Sequence, residues 1–209
     1  MKNDIAIFVG AYIGDDLISY AEDNTDVYVI GFEPNIRALD VLIPRTAHLD
    51  NVLIVPQAVS YVDGPGRFYI TNLSDGDMGC SSLLEYSDNI DSLNTHGDMK
   101  HSDTLNIMCT RIDTFLDKLN FEINSIKTLV LDVQGWDYEC LLSTGKYVNI
   151  IEHGYVEVVT YENALYKGQN NIIGNVARWL YKHNFIIYDI TDNDHYNPGT
   201  EMNVLFKKI

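Results

Sequence analysis

Residues 5–14 read Ile-Ala-Ile-Phe-Val-Gly-Ala-Tyr-Ile-Gly, and Asp15-Asp16 follow directly. The apolar run over residues 5–9 predicts a strand, Gly10 to Gly14 a tight turn, and residues 17–22 a helix with two carboxylates at its start. Glycines at the first strand-to-helix turn of a parallel sheet let the backbone approach a ligand. The helix start behind them offers free N–H donors. Glu33 stands 19 residues beyond Gly14, at the end of a second β-rich run over residues 27–32. A carboxylate there can accept both hydroxyl hydrogens of a ribose. A plain tight turn with a surface Glu is the simpler alternative for each piece alone. The two together, at this spacing, favour a ribose-bearing cofactor.

Outward from this stretch, short apolar runs alternate with helix-like segments. That pattern predicts an α/β fold, with a mostly parallel central sheet and helices on both faces. Pro34 suits the first turn of a helix over residues 36–42, and Pro44 is expected to close it. Residues 51–56 predict a third strand, Asp63-Gly64-Pro65-Gly66 a turn, and residues 67–71 an extra, antiparallel strand. Residues 85–104 are polar and aperiodic, which predicts a long loop or mobile lid. A strand over 105–110 and a short helix over 113–119 come next. Residues 128–133, Thr-Leu-Val-Leu-Asp-Val, form the most apolar strand. The remainder predicts a helix over 138–142, a strand over 155–159, a helix over 171–183 and an antiparallel C-terminal hairpin, 185–190 with 202–206. At 209 residues the chain is expected to be a single domain, 1–209.

The chain carries 30 acidic against 14 basic side chains, a formal net charge of −16. Phosphate backbones need clustered Lys and Arg, so this balance opposes a nucleic-acid partner. Cys80, Cys109 and Cys140 are scattered and odd in number, which suggests neither a disulfide framework nor a zinc knuckle. No apolar run approaches the roughly 20 residues of a membrane span, and no signal peptide is visible. These features predict a cytoplasmic protein with no membrane partner.

A dinucleotide site favours G-x-G-x-x-G, whose middle Gly makes room for a pyrophosphate. Here Tyr12 stands at that place and no third Gly follows, so a phosphate-free cofactor, S-adenosylmethionine, fits better. Asp132 is expected at the carboxyl end of the apolar strand, beside the same crevice; the alternative is a cap for the next helix. Glu157 interrupts the run Tyr155 to Val159, and either pairs with a cation or faces the cleft. His153 is read as structural or exposed. His96 and His101 match no metal motif, and no metal site is expected. Tyr161 and Tyr166 are expected to border the crevice.

Taken in order, several pieces resemble the FkbM-type methyltransferases, which use S-adenosylmethionine on a Rossmann-like class I methyltransferase fold. They are Val9 to Asp15, Phe32-Glu33-Pro34-Asn35, Gln57-Ala58-Val59-Ser60, Ser81-Ser82-Leu83-Leu84 and Thr110 to Leu116. Leu131-Asp132-Val133-Gln134-Gly135-Trp136-Asp137 is the most specific, and Val156-Glu157-Val158 and Leu165-Tyr166-Lys167-Gly168-Gln169 follow. The resemblance implies that Gly10, Ala11, Tyr12 and Gly14 hold the methionine part of the cofactor and Glu33-Pro34 the ribose. It places Gln57, Ala58 and Val59 at the adenine, and Asp132 near the methyl group. It further implies O-methylation of a hydroxyl on a sugar or small metabolite.

An alcohol that accepts a methyl group must lose a proton, and Asp132, then Glu157, are the expected bases. The family usually has an acidic residue where this chain has Phe8. The chain also begins almost at the first strand, so a covering amino-terminal helix is expected to come from a partner subunit in a homo-oligomer, if at all. Both departures motivate the alternative of a non-catalytic S-adenosylmethionine-binding module or a degenerate methyltransferase fold.

Overall fold

The computed structural model describes residues 2–71, 78–88, 100–160, 165–192 and 201–209. The apolar run of the first ten residues forms β1 (Lys2–Val9), and the glycine turn leads into α1 (Asp15–Asp23). β2 (Tyr28–Phe32), α2 (Ile36–Thr46) and β3 (Val52–Val55) complete a β-α-β-α-β unit. A small side sheet follows, made of β4 (Ala58–Val59), β5 (Gly64–Thr71) and β6 (His101–Thr110). Then come α3 (Ile112–Leu116), β7 (Glu122–Leu131), α4 (Asp137–Leu142) and a 3₁₀ turn (Gly145–Ile150). β8 (Ile151–Val159), α5 (Ile173–Lys182), β9 (Phe185–Asp192) and β10 (Glu201–Lys208) end the chain.

The main sheet has seven strands in the order β3-β2-β1-β7-β8-β10-β9. β1, β2, β3, β7 and β8 run parallel, while β10 is antiparallel to both β8 and β9. The expected α/β architecture with a C-terminal antiparallel hairpin is therefore present. Side chains alternate along β1. Ile5, Ile7 and Val9 enter a core that also holds Cys140 and Leu141 of α4 and Val176 and Leu180 of α5. Ala6 and Phe8 enter a second core with Leu17 and Ala21 of α1 and Leu39 and Leu42 of α2. Both faces are apolar but differ in shape, and a one-residue slip of β1 would put Ala6 and Phe8 where Ile5, Ile7 and Val9 pack, so the register is tightly specified.

That register aligns the functional positions. Val9 pairs with Phe32 on one side and with Leu131 on the other. The next residues along the three strands, Gly10, Glu33 and Asp132, thus emerge side by side at the carboxyl edge of the sheet.

Several local expectations are corrected. Pro44 does not close α2 but lies inside it, and the helix runs on to Thr46. In this last turn the carbonyl that Pro44 leaves without a helical donor belongs to exposed Asp40. The segment 63–66 is not a free turn, because β5 begins at Gly64 and pairs with Cys109. The loop 85–104 ends early. His101 to Thr104 belong to β6, held by backbone pairing to β5 rather than by burial, which is why a polar sequence concealed a strand. Residues 89–99, including His96, lie outside the described residues, as do Tyr161 and His195. β7 and β8 begin earlier than their apolar stretches, at Glu122 and Ile151. Among the described residues, no helix is long and apolar enough to cross a membrane.

Candidate active site

The glycine turn is shaped by what lies above it. Gly10 has φ 85°, and a Cβ there would run into the backbone carbonyl of Asp132. Its own N–H and that of Ala11 both donate to the Phe32 carbonyl, at 3.0 and 2.9 Å. Tyr12 also adopts a left-handed conformation, φ 45°, and this aims its N–H at Glu33 Oε2, 2.8 Å away. Glu33 Oε1 accepts the Asn35 N–H at 2.7 Å, and Asn35 Oδ1 in turn accepts the Arg37 N–H to cap α2. The buried Glu33 carboxyl therefore ties the turn after β1 to the helix after β2. Burial pushes its pKa up to about 7, against the two backbone N–H bonds from Asn35 and Tyr12, which favour the ionised form.

The second half of the site follows β7. Asp132 N–H donates to the Val9 carbonyl at 3.1 Å, continuing the sheet by one bond. Its Oδ1 accepts the Gln134 Nε2–H at 3.0 Å. Burial, and then the charge of Asp16, raise the Asp132 pKa, and the Gln134 bond opposes them. The capping alternative for Asp132 is not realised, since α4 has Trp136 at its N-cap and no side-chain cap. Asp137 takes the structural part instead. Its Oδ1 accepts the Val133 N–H at 2.9 Å, and its Oδ2 accepts the Gly135 N–H at 3.1 Å and the Asn171 Nδ2–H at 3.0 Å. Asn171 also donates to the Glu157 carbonyl at 3.0 Å, joining the turn after β7 to β8. The Asp137 pKa is raised, first by burial and then by the Asp132 charge.

Between these two halves lies a cavity of about 330 Å³, within the range of small-molecule sites. Gly10, Tyr12, Glu33, Pro34, Gln57, Ala58, Val59, Asp132 and Glu157 all line it. Ala11 and Gly14 do not. Ala11 is buried, and its carbonyl accepts the Gly14 N–H at 2.8 Å. Gly14, φ 91°, starts α1, and a Cβ there would meet Leu42. These two residues shape the turn from behind. Phe8 faces the α1 side, buried and edge-on to Tyr20 with ring centroids 5.6 Å apart. Carboxylates do line the cavity at Glu33, Asp132, Glu157 and Glu201.

One wall was not foreseen from the sequence. Met78, Gly79, Cys80, Ser81 and Leu83 line the cavity opposite the sheet edge. Met78 N–H donates to the Tyr12 hydroxyl at 3.3 Å, and Ser82 Oγ donates to the Gln134 carbonyl at 2.7 Å. Tyr166 is buried, stacks on Tyr86, and donates its hydroxyl toward the Cys80 carbonyl at 3.1 Å and Gln134 Oε1 at 3.0 Å. The motif Ser81-Ser82-Leu83-Leu84 was visible, but which cavity it closes depends on contacts across 52 residues of sequence. His153 is exposed on β8. No group of three or more His, Cys, Asp or Glu that could hold a metal occurs among the described residues.

The arrangement matches a known family. A family model described as the methyltransferase FkbM domain matches residues 9–187. The chain belongs to that family. FkbM methyltransferases depend on S-adenosylmethionine, so the FkbM-domain chain is a methyltransferase with that cofactor. Among solved structures, a Streptococcus mutans protein in complex with SAH is similar at TM-score 0.54 and 12% identity, covering 100% of this chain and 90% of that one. The fibrillarin pre-rRNA processing protein of Methanococcus jannaschii is similar at TM-score 0.54 and 11% identity, covering 99% and 67%. An rRNA methylase from Streptococcus thermophilus is similar at 0.51 and 10%, covering 100% and 88%. At these identities the likeness is one of fold, and it bears out the class I methyltransferase architecture for this FkbM protein. No curated protein matches it by sequence.

Proposed function

We propose that this FkbM protein transfers the methyl group of S-adenosylmethionine to a hydroxyl of a sugar or another small metabolite. The observation that carries the reading is the alignment of Gly10, Glu33 and Asp132 at the ends of three adjacent strands around one cavity. Each Glu33 oxygen accepts one backbone N–H, and a carboxylate oxygen has a second acceptor direction. Those directions suit the two hydroxyls of a ribose. Gly10 keeps the turn free of a Cβ next to the Asp132 carbonyl, and Pro34, Gln57, Ala58 and Val59 are assigned to the adenosine end.

The cofactor supplies a methyl group activated on a sulfonium. The chain's own task is to orient the acceptor and take its proton. Asp132 is assigned that role, because its surroundings make it a stronger base than a free aspartate. Glu157, buried and lining the same cavity, is the second candidate.

Charge supports an uncharged acceptor over nucleic acid. No Lys or Arg lines the cavity among the described residues, and the stretches left undescribed contain neither in sequence. A phosphate-bearing acceptor would find no cation to pair with on these walls, and the carboxylates would repel it when ionised. The reading also takes residues 1–209 as one domain acting in the cytoplasm, in keeping with three scattered cysteines that make no disulfide framework.

The test is twofold. Calorimetry should detect S-adenosylhomocysteine binding to the wild type, and a screen of neutral sugars and alcohols should find an acceptor that consumes the donor. Asp132→Ala should then bind S-adenosylhomocysteine yet lose turnover by at least about 100-fold. Undiminished activity in that variant would remove Asp132 from the mechanism. Tight cofactor binding with no turnover across the screen would favour a non-catalytic module.

A further inference from the structure

Gln134 donates a side-chain hydrogen bond to Asp132, and both ends of that amide are engaged. Its Nε2 is 3.0 Å from Asp132 Oδ1, and its Oε1 is 3.0 Å from the Tyr166 hydroxyl. The Gln134 backbone is fixed independently. It has φ 56°, its carbonyl accepts the Ser82 hydroxyl, and Asp137 holds the N–H groups of Val133 and Gly135 on either side. The amide can therefore turn about its last bond without moving the chain.

Counting hydrogens shows what such a turn would do. An ionised carboxylate only accepts, so the NH₂ of Gln134 must face Asp132 and its carbonyl must face Tyr166. The single phenolic hydrogen of Tyr166 then serves Gln134 Oε1. The Cys80 carbonyl, 3.1 Å from the same hydroxyl, does not depend on it: Thr71 Oγ1 and Tyr86 Oη lie 3.2 and 3.3 Å from that carbonyl and 2.6 Å from each other, so one of their two hydrogens joins the pair and the other reaches the carbonyl. When Asp132 carries a proton, its O–H would oppose the NH₂. Turning the amide by half a rotation presents Oε1 to the Asp132 O–H and NH₂ to the Tyr166 oxygen. The phenolic hydrogen then passes to the Cys80 carbonyl. In both states the hydrogens that lie between Asp132 and Gln134 and between Gln134 and Tyr166 each face an acceptor, which is the condition for a buried polar network to be tolerated.

We infer that Gln134 is a positioning residue that follows the proton on Asp132, its amide reversing between Asp132 and Tyr166 as that proton arrives and leaves. The inference deepens the proposed function and rests on Asp132 as the proton acceptor. Turnover would use it in one direction, since the proton leaving the acceptor hydroxyl ends on Asp132, and the amide reversal keeps it there until it escapes to solvent. Other ionisable groups near Asp132 are Asp16 at the start of α1, Asp137 of α4 and Tyr155 of β8, with Glu157 lining the same cavity. Asp16 and Asp137 oppose ionisation when charged. The Gln134 NH₂ is the neutral donor that favours it.

The experiment is a pH titration of the full chain by NMR, without acceptor or cofactor. It follows the Asp132 carboxyl carbon and the Gln134 side-chain NH₂. In the wild type both signals should move with one midpoint. Gln134→Leu should raise the Asp132 midpoint by about one pH unit, a tenfold change in proton affinity. Tyr166→Phe should leave the Asp132 midpoint closer to the wild type but shift the NH₂ signal in both limbs. A Gln134 NH₂ signal that stays flat while Asp132 titrates would overturn the inference, and so would an unmoved midpoint in Gln134→Leu. If that variant does not fold, the wild-type NH₂ signal decides alone. The outcome is separate from the proposed function, which fails instead if no acceptor is methylated by a protein whose Asp132 titrates normally.

Discussion

Glu33 Oε2 accepts the Tyr12 N–H at 2.8 Å across 21 residues of sequence. This bond exists because Tyr12 accepts a left-handed backbone, φ 45°, which costs a non-glycine residue about 1 kcal/mol or more. One carboxylate thus orders the glycine turn and also stands where a ribose would lie. Structure and binding are coupled at this residue.

Glu33→Gln removes that coupling. An amide nitrogen cannot accept from Tyr12 or Asn35, so one backbone N–H loses its partner. Affinity for S-adenosylhomocysteine should fall at least tenfold, about 1.4 kcal/mol, as read by calorimetry. Unchanged affinity would detach Glu33 from the cofactor.

Stability should depend on pH through the same group. The folded Glu33 keeps its proton up to about pH 7, whereas the unfolded chain releases it near 4.5. The folded state therefore binds more protons in that window. The stabilisation is fully present below about 4.5 and is lost as pH rises toward 7. Thermal melts of the cofactor-free protein should show the wild type losing stability relative to Glu33→Gln over this range. A constant difference between the two would contradict the raised pKa.

Gly10→Ala tests the turn itself. The left-handed backbone alone costs about 1–2 kcal/mol, and the new Cβ meets the Asp132 carbonyl, which the sheet holds in place. Urea denaturation should report a loss above about 2 kcal/mol, together with weakened cofactor binding. A neutral substitution would mean that the turn can relax.

Asp137→Ala would leave three donors without an acceptor, on Val133, Gly135 and Asn171. At about 1–3 kcal/mol for each orphaned donor, the protein should lose at least about 3 kcal/mol of stability by denaturant titration. A loss below about 1 kcal/mol would show that water or a shifted Asn171 replaces the carboxylate.

Acceptor charge gives a further outcome. Once a neutral hydroxyl acceptor is in hand, its phosphate ester, with the reacting hydroxyl intact, should show kcat/KM at least about tenfold lower, since four carboxylates line the cavity. Equal rates would place the acceptor outside the region these side chains control.

Much of this was legible from residue order alone. The apolar runs ending in Gly10, Glu33 and Asp132 set the strand-turn pattern, because a strand buried on both faces has no polar positions until it leaves the sheet. Pro44 and the His101–Thr104 stretch were misread for the converse reason. A helix tolerates Pro where the freed carbonyl belongs to an exposed residue, and a strand can be polar where backbone pairing rather than burial holds it. The family resemblance places Gly14 and Ala11 at the ligand with Gly10; in the structure they stand behind the turn and do not line the cavity, a distinction of side rather than sequence.

The sequence by itself determined the α/β architecture, the glycine turn and the carboxylates that end its strands, since these follow from local hydrophobic pattern and backbone sterics. Only the tertiary structure decided which of them share a cavity. It set Asp137, not Asp132, to hold the turn after β7, and it brought Ser82 and Tyr166 onto Gln134 and the Cys80 carbonyl onto Tyr166. Those partners are 32 to 86 residues apart in sequence. Their meeting depends on the packing of the side sheet and β8 against β7, and no local pattern encodes that distance.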